Sequence, residues 1–165
     1  MRIVSTFVMV ASVLRVEAIH TPTARFAVER AVRAAVERLD QPECQRVLSD
    51  FADISGRPLR EQLDRDGDTP RNFLARLTFR EEVGGRCRDP RTLAFTSIGG
   101  REIVICGQQF WDTYRRYPAH VEALLIHELL HTMGLGENPP SSLEITSRVL
   151  KRCWSSRATG AHDER

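Results

Sequence analysis

The sequence predicts an α+β domain, mainly helical, with a small antiparallel sheet or hairpin packed beside one apolar helix. Three observations point there. Most of the chain after residue 20 falls into segments of helical periodicity, delimited by Thr-Pro, Pro and Gly signals. Two short β-type runs, Thr92–Thr96 and Glu102–Cys106, flank Gly99-Gly100, which is a hairpin signal. The length, 165 residues, and a 41% hydrophobic, 28% charged composition suit one domain with a proper core. The net charge of +2 is too small to argue for nucleic acid. Only Lys151 among the 24 basic residues is lysine, which is read as composition bias.

In chain order, Thr21-Pro22-Thr23 starts a helix that runs to about Leu39, with Phe26, Val32, Val36 and Leu39 expected on its apolar side. A second helical piece spans Pro42 to Phe51, and a short third spans Leu59 to Leu63. Asp64-Arg65-Asp66-Gly67-Asp68 alternates acids as a calcium loop does. Its glycine, however, falls at the fourth loop position and Ala75 stands at the twelfth, so a turn is expected, followed by a helix with Thr69 as N-cap and Pro70 at N1. Leu77-Thr78-Phe79 opens a β-type stretch broken by Gly84-Gly85. Gln108–Tyr117 is helical, Pro118 starts the next helix, and Gly134 ends it at a position that suits positive φ. A last helix runs from Ser141 to about Cys153, and the tail, residues 155–165, is expected to be disordered.

Arg2 precedes a 12-residue apolar run, Ile3 to Leu14, and Val16-Glu17-Ala18 offers a small-residue cleavage site. Residues 1–18 therefore read as a signal peptide of a secreted or periplasmic protein, leaving one domain, residues 19–154. The run is too short for a stable membrane anchor. Cys44, Cys87, Cys106 and Cys153 are an even set without a CxxC pair, which fits two disulfides after export. Of three possible pairings, Cys87–Cys106 would close the hairpin, and Cys44–Cys153 would tie an early helix to the last one.

The chemistry is concentrated in Leu125-Ile126-His127-Glu128-Leu129-Leu130-His131-Thr132-Met133-Gly134, which contains HExxH. On a helix, His127 and His131 share one face and reach one ion. Glu128 is offset by about 100°, so it serves a water rather than the metal. That is the layout of a zinc hydrolase site. A catalytic Zn2+ needs three protein ligands and one open position. Two carboxylates are placed to be the third. Glu137 follows the Gly134 turn, and Glu144 lies in the first turn of the next helix. Glu137 is preferred, because Ser141-x-x-Glu144 is also a capping box that explains Glu144 without a metal.

On these residues the chain resembles the zincin metallopeptidases. His127-Glu128-x-x-His131-x-x-Gly134-x-x-Glu137 is similar to the metzincin pattern except at its last position, where Glu replaces His. No methionine follows Met133, so the metzincin methionine turn has no counterpart. A third ligand on a later helix, as Glu144 would be, resembles the gluzincins. The resemblance covers about residues 92–153. It implies that His127 and His131 bind zinc, that Glu128 is the general base, and that a peptide or protein substrate pairs with a sheet edge, Glu102–Cys106 or Thr92–Thr96. A second oxyanion donor is expected. The sequence does not assign it: His120 lies one heptad before His127, and Tyr114 and Tyr117 precede the helix, and for each a packing or surface role is the preferred reading. The alternatives to a peptidase are a non-catalytic zinc-stabilised protein and a metal-free interaction module.

Overall fold

The computed structural model describes residues 15–154. The apolar run Ile3–Leu14 and the tail from Ser155 lie outside the described residues. The elements are β1 (Arg15–Ala18), α1 (Pro22–Leu39), α2 (Pro42–Gln45), α3 (Leu59–Asp66), α4 (Pro70–Ala75), β2 (Thr78–Glu81), β3 (Ala94–Thr96), β4 (Glu102–Ile105), α5 (Gly107–Arg116), α6 (Pro118–Thr132) and α7 (Ser142–Trp154). Two 3-10 turns, Arg46–Ser49 and Gly85–Arg88, complete them, so the helical piece expected from Pro42 to Phe51 is a short α-helix continued as a 3-10 turn.

The fold is mainly helical with one small sheet, as expected. The sheet is larger than a hairpin, with strand order β1-β2-β4-β3. β3 and β4 are antiparallel, with Phe95 opposite Val104. β2 runs parallel to β4, and β1 parallel to β2. The sheet is therefore mixed: the antiparallel expectation holds for the hairpin, and two parallel strands extend it. Val16-Glu17-Ala18, read above as a cleavage site, closes strand β1, and Val16 and Ile19 are buried.

Helix α1 is the spine of the core and packs on α4, α5 and α6. Its buried stripe is Ala24, Ala27, Val28, Ala31, Val32, Ala35, Val36 and Leu39, a helical period built largely from alanine, which lets neighbouring helices approach closely. Phe26 falls off that stripe by its spacing and is exposed, contrary to expectation. It rests edge-on against Trp111 instead. The start of α1 is pinned by Glu81 at the end of β2, whose carboxylate accepts the His20 and Thr21 backbone N–H groups. Thr69 caps α4 by accepting from the Asn72 N–H, and α3 runs on through Asp66 past the expected end at Leu63, so the turn expected over Asp64–Asp68 is confined to the residues after Asp66, with Gly67 left-handed at the end of α3.

Both disulfides form as anticipated, Cys44–Cys153 and Cys87–Cys106. The first joins α2 to α7 across the chain. The second ties the Gly85–Arg88 turn to the residue just after β4. They fit an oxidising, extracellular environment. Among the described residues no helix is long and apolar enough to cross a membrane.

Candidate metal centre

Helix α6 is apolar nearly all round and lies in the core, with Leu125, Ile126, Leu129 and Leu130 fully buried. Against that background His127, Glu128 and His131 are conspicuous, because each is buried as well. Sinking an imidazole or a carboxylate into a core helix costs free energy unless each polar atom finds a partner. The partners decide what the site can do.

His131 donates through Nδ1 to the Leu135 carbonyl, at 2.7 Å. A carbonyl only accepts, so neutral His131 carries its proton on Nδ1 and leaves Nε2 bare. His127 Nδ1 meets the Thr146 hydroxyl on α7 at 3.0 Å. The two Nε2 atoms face each other 3.0 Å apart. Glu137 Oε1 lies 3.7 Å from one and 3.6 Å from the other. Two imidazole nitrogens and a carboxylate oxygen thus lie within 4.8 Å of one another. His127, His131 and Glu137 are accordingly a group that could hold a metal ion. Partners on the far nitrogens, as found here, orient and tune metal-binding imidazoles. Burial, and then His131, push His127 down to about 4, so its ring is neutral and available near neutral pH.

The Gly134 turn brings Glu137 into place. The Gly134 N–H bonds to the His131 carbonyl and the Leu135 N–H to the Leu130 carbonyl, at 2.9 and 3.0 Å. This is the six-to-one closure that ends a helix through a left-handed residue. Gly134 has φ of 100°. The loop before α3 and α3 itself brace the turn: Ile54 N–H donates to the Gly134 carbonyl and Gln62 Nε2 to the Met133 carbonyl. Glu144 is not at the site. Its carboxylate accepts from the Ser141 N–H and hydroxyl, at 2.8 and 2.9 Å, and its own N–H bonds back to the Ser141 hydroxyl. That is the capping box, and it occupies Glu144 at the start of α7.

Glu128 lines the same cleft. It accepts from the backbone N–H of Thr96 on β3. Burial, and then repulsion from Glu137, push its carboxyl up to about 7, against the Thr96 N–H and the Arg86 charge. β3 is one of the two edges of the sheet, and β4 is interior. The Leu93 carbonyl accepts from Cys106 N–H, so by the alternation of an antiparallel ladder the peptide groups of Ala94 and Thr96 face away from β4. The Gly99 N–H, in the β3–β4 turn, fastens the hairpin to the His131 carbonyl. Together β3, α6 and the loop carrying Glu137 line a cavity of about 870 Å³ that includes His127, Glu128, His131 and Glu137.

His120, Tyr114 and Tyr117 do not line this cavity. Tyr117 and His120 are exposed, and Tyr114 stacks on Trp111. The basic groups that do line it are Arg86 and Arg91. Sequence reasoning missed these two, and also Thr146. Compared with known proteins, the chain matches no family model, no curated protein and no solved structure. The chemistry of the site has to carry the functional conclusion.

Proposed function

We propose that this chain is a small exported zinc peptidase of the zincin type. The observation that carries the proposal is the pair of buried Nε2 atoms turned toward each other, with Glu137 at their side and Glu128 in the same cleft against a sheet edge. The nitrogen and oxygen donors suit zinc. Only three groups converge among the described residues, and Glu144 is engaged elsewhere, so a coordination position stays open for chemistry. Bound there, zinc would supply Lewis acidity, activating a water and polarising a carbonyl.

The protein groups have separate tasks. His127, His131 and Glu137 hold the ion. Thr146 and the Leu135 carbonyl keep both rings turned toward it. Glu128 takes the proton of the attacking water on its carboxylate and returns it to the leaving amine. A carboxyl pushed up toward neutral pH is suited to both transfers, and a cation held by His127, His131 and Glu137 would favour its ionised form. The outward N–H and carbonyl of Ala94 and the Thr96 carbonyl offer an extended substrate a strand edge to pair with. The N-terminal apolar run and the two disulfides support export.

Metal analysis of protein purified without chelator tests the reading first. About one zinc per chain is expected, and less than about a tenth, with no uptake on addition, sinks it. Glu128→Gln should retain the zinc and lower hydrolysis of unfolded protein by about 10²–10⁴-fold. Zinc bound with no hydrolysis in the unmutated chain would leave the ion as a structural staple.

A further inference from the structure

Arg86 stands apart from the other cations near the cleft. It lines the same cavity as His127, Glu128 and Glu137, and it is exposed. Among the described residues no carboxylate lies within 4.0 Å of its guanidinium, and the carboxyl its charge acts on is Glu128 in the same cleft. Arg91, the other arginine lining the cavity, is already held by Asp89 through two side-chain bonds of 3.1 and 3.0 Å. The Arg86 guanidinium lies over the ring of Phe95, the middle residue of β3, 5.1 Å from its centre. Its backbone is pinned on the C-terminal side. The next residue is Cys87, bonded to Cys106, with its N–H on the Gly84 carbonyl and its own carbonyl accepting from Gln109 Nε2 at 2.6 Å. A stacked guanidinium on a fixed stem loses little freedom on binding and keeps its in-plane N–H donors for a planar two-oxygen acceptor.

We propose that Arg86 is a carboxylate anchor in the cleft, selecting peptides that bring an acidic group alongside β3. The carboxylate can come from an Asp or Glu side chain or from the peptide's C-terminus. A phosphate would suit the same fork, but Glu128 and Glu137 in the same cleft disfavour a dianion more than a monoanion. The assignment takes from the peptidase reading only that the ligand is a peptide.

The test is equilibrium binding of fluorescent peptides to the disulfide-intact, zinc-loaded chain carrying Glu128→Gln, which prevents turnover. The probes are end-blocked peptides with one Glu moved along a neutral sequence, the all-Gln counterpart, a version with a free C-terminus and a phosphoserine version. Glu at one position, or the free terminus, should bind about ten- to a hundredfold tighter than the neutral blocked peptide. Adding Arg86→Gln should abolish that preference while leaving neutral-peptide affinity and melting temperature unchanged. Arg86→Glu should favour a Lys peptide. A preference that survives Arg86→Gln, no preference, no measurable binding, or phosphoserine binding tighter than Glu would each overturn the assignment. Cleavage is scored separately. An Arg86-dependent preference in a chain that hydrolyses nothing removes the peptidase reading alone. Hydrolysis without the preference removes the anchor alone.

Discussion

Two buried carboxylates flank the end of helix α6, and they are opposites. Asp53 is 8% exposed and Glu128 5%. Asp53 accepts from the Ser55 and Arg57 N–H groups, from the Arg57 guanidinium and from Gln62 Nε2. Those donors, led by the Arg57 N–H, hold its carboxyl below the usual carboxylate range. Glu128 has one backbone donor, Thr96, and another carboxylate for a neighbour, so burial pushes it up to about 7. The comparison teaches how to separate a structural acid from a chemical one. Asp53 is saturated with donors and ionised, and it braces the Gly134 turn. Glu128 is left under-satisfied in a cleft, where it can exchange a proton.

The sharpest way to break this contrast is to turn both acids into amides in the metal-free protein at neutral pH. A raised pKa contributes stability that is present below the unfolded value, 4.5, and lost as pH rises through about 7. Glu128→Gln should therefore gain on the unmutated chain as pH climbs over that window, by about 3 kcal/mol at its upper end. Asp53 has the opposite sign: its stability is present above 3.8 and lost as pH falls through its lowered value. Asp53→Asn should thus destabilise at neutral pH and matter little in acid. Urea unfolding across the pH range checks both. Equal signs for the two variants would undo the distinction. Bound zinc should shrink the Glu128 effect, since a cation favours the ionised form.

The contrast extends to the imidazoles. Both rings are partnered at Nδ1 and turn Nε2 toward each other, and for His127 the Nδ1 partner is Thr146. Thr146→Val keeps the shape and removes the hydroxyl. Zinc affinity, measured by chelator competition, should fall about 10- to 100-fold. An unchanged affinity would mean that α6 alone orients the ring.

How much of this was legible in the sequence follows from what is local. HExxH, the helix limits at Pro118 and Gly134, and the placing of Glu137 three residues past a glycine turn all depend on short-range geometry, and the structure brings these residues together. Glu144 was separable by its capping box. Both disulfides followed from the hairpin and from the two outlying helices. Thr146, the Asp53 brace and the Arg86 stack carry no short-range signature, because they are contacts made by topology; Arg86 in particular is one arginine in an arginine-rich chain. Phe26 was misjudged by hydrophobicity alone, although the Ala24, Ala27, Ala31 and Ala35 spacing marked the buried stripe. The parallel pairing of β1 with β2 spans α1 through α4 and had no local signal.

The smallest of these effects concerns the turn that joins the two acids. At φ of 100° Gly134 is in a conformation that side-chain-bearing residues rarely adopt, and an added Cβ would lie 3.1 Å from the Asp53 Cβ. Gly134→Ala should cost about 1–2 kcal/mol in urea unfolding, from backbone strain and from crowding the brace. The turn carries the Leu135 carbonyl that orients His131 and leads into Glu137, so zinc affinity should weaken as well, by less than Thr146→Val produces. The two losses separate the roles on either side of Gly134. Stability reports the Asp53 side and zinc affinity the His131 side, and a variant that lost stability with full zinc affinity would show that the brace does not position the metal ligands.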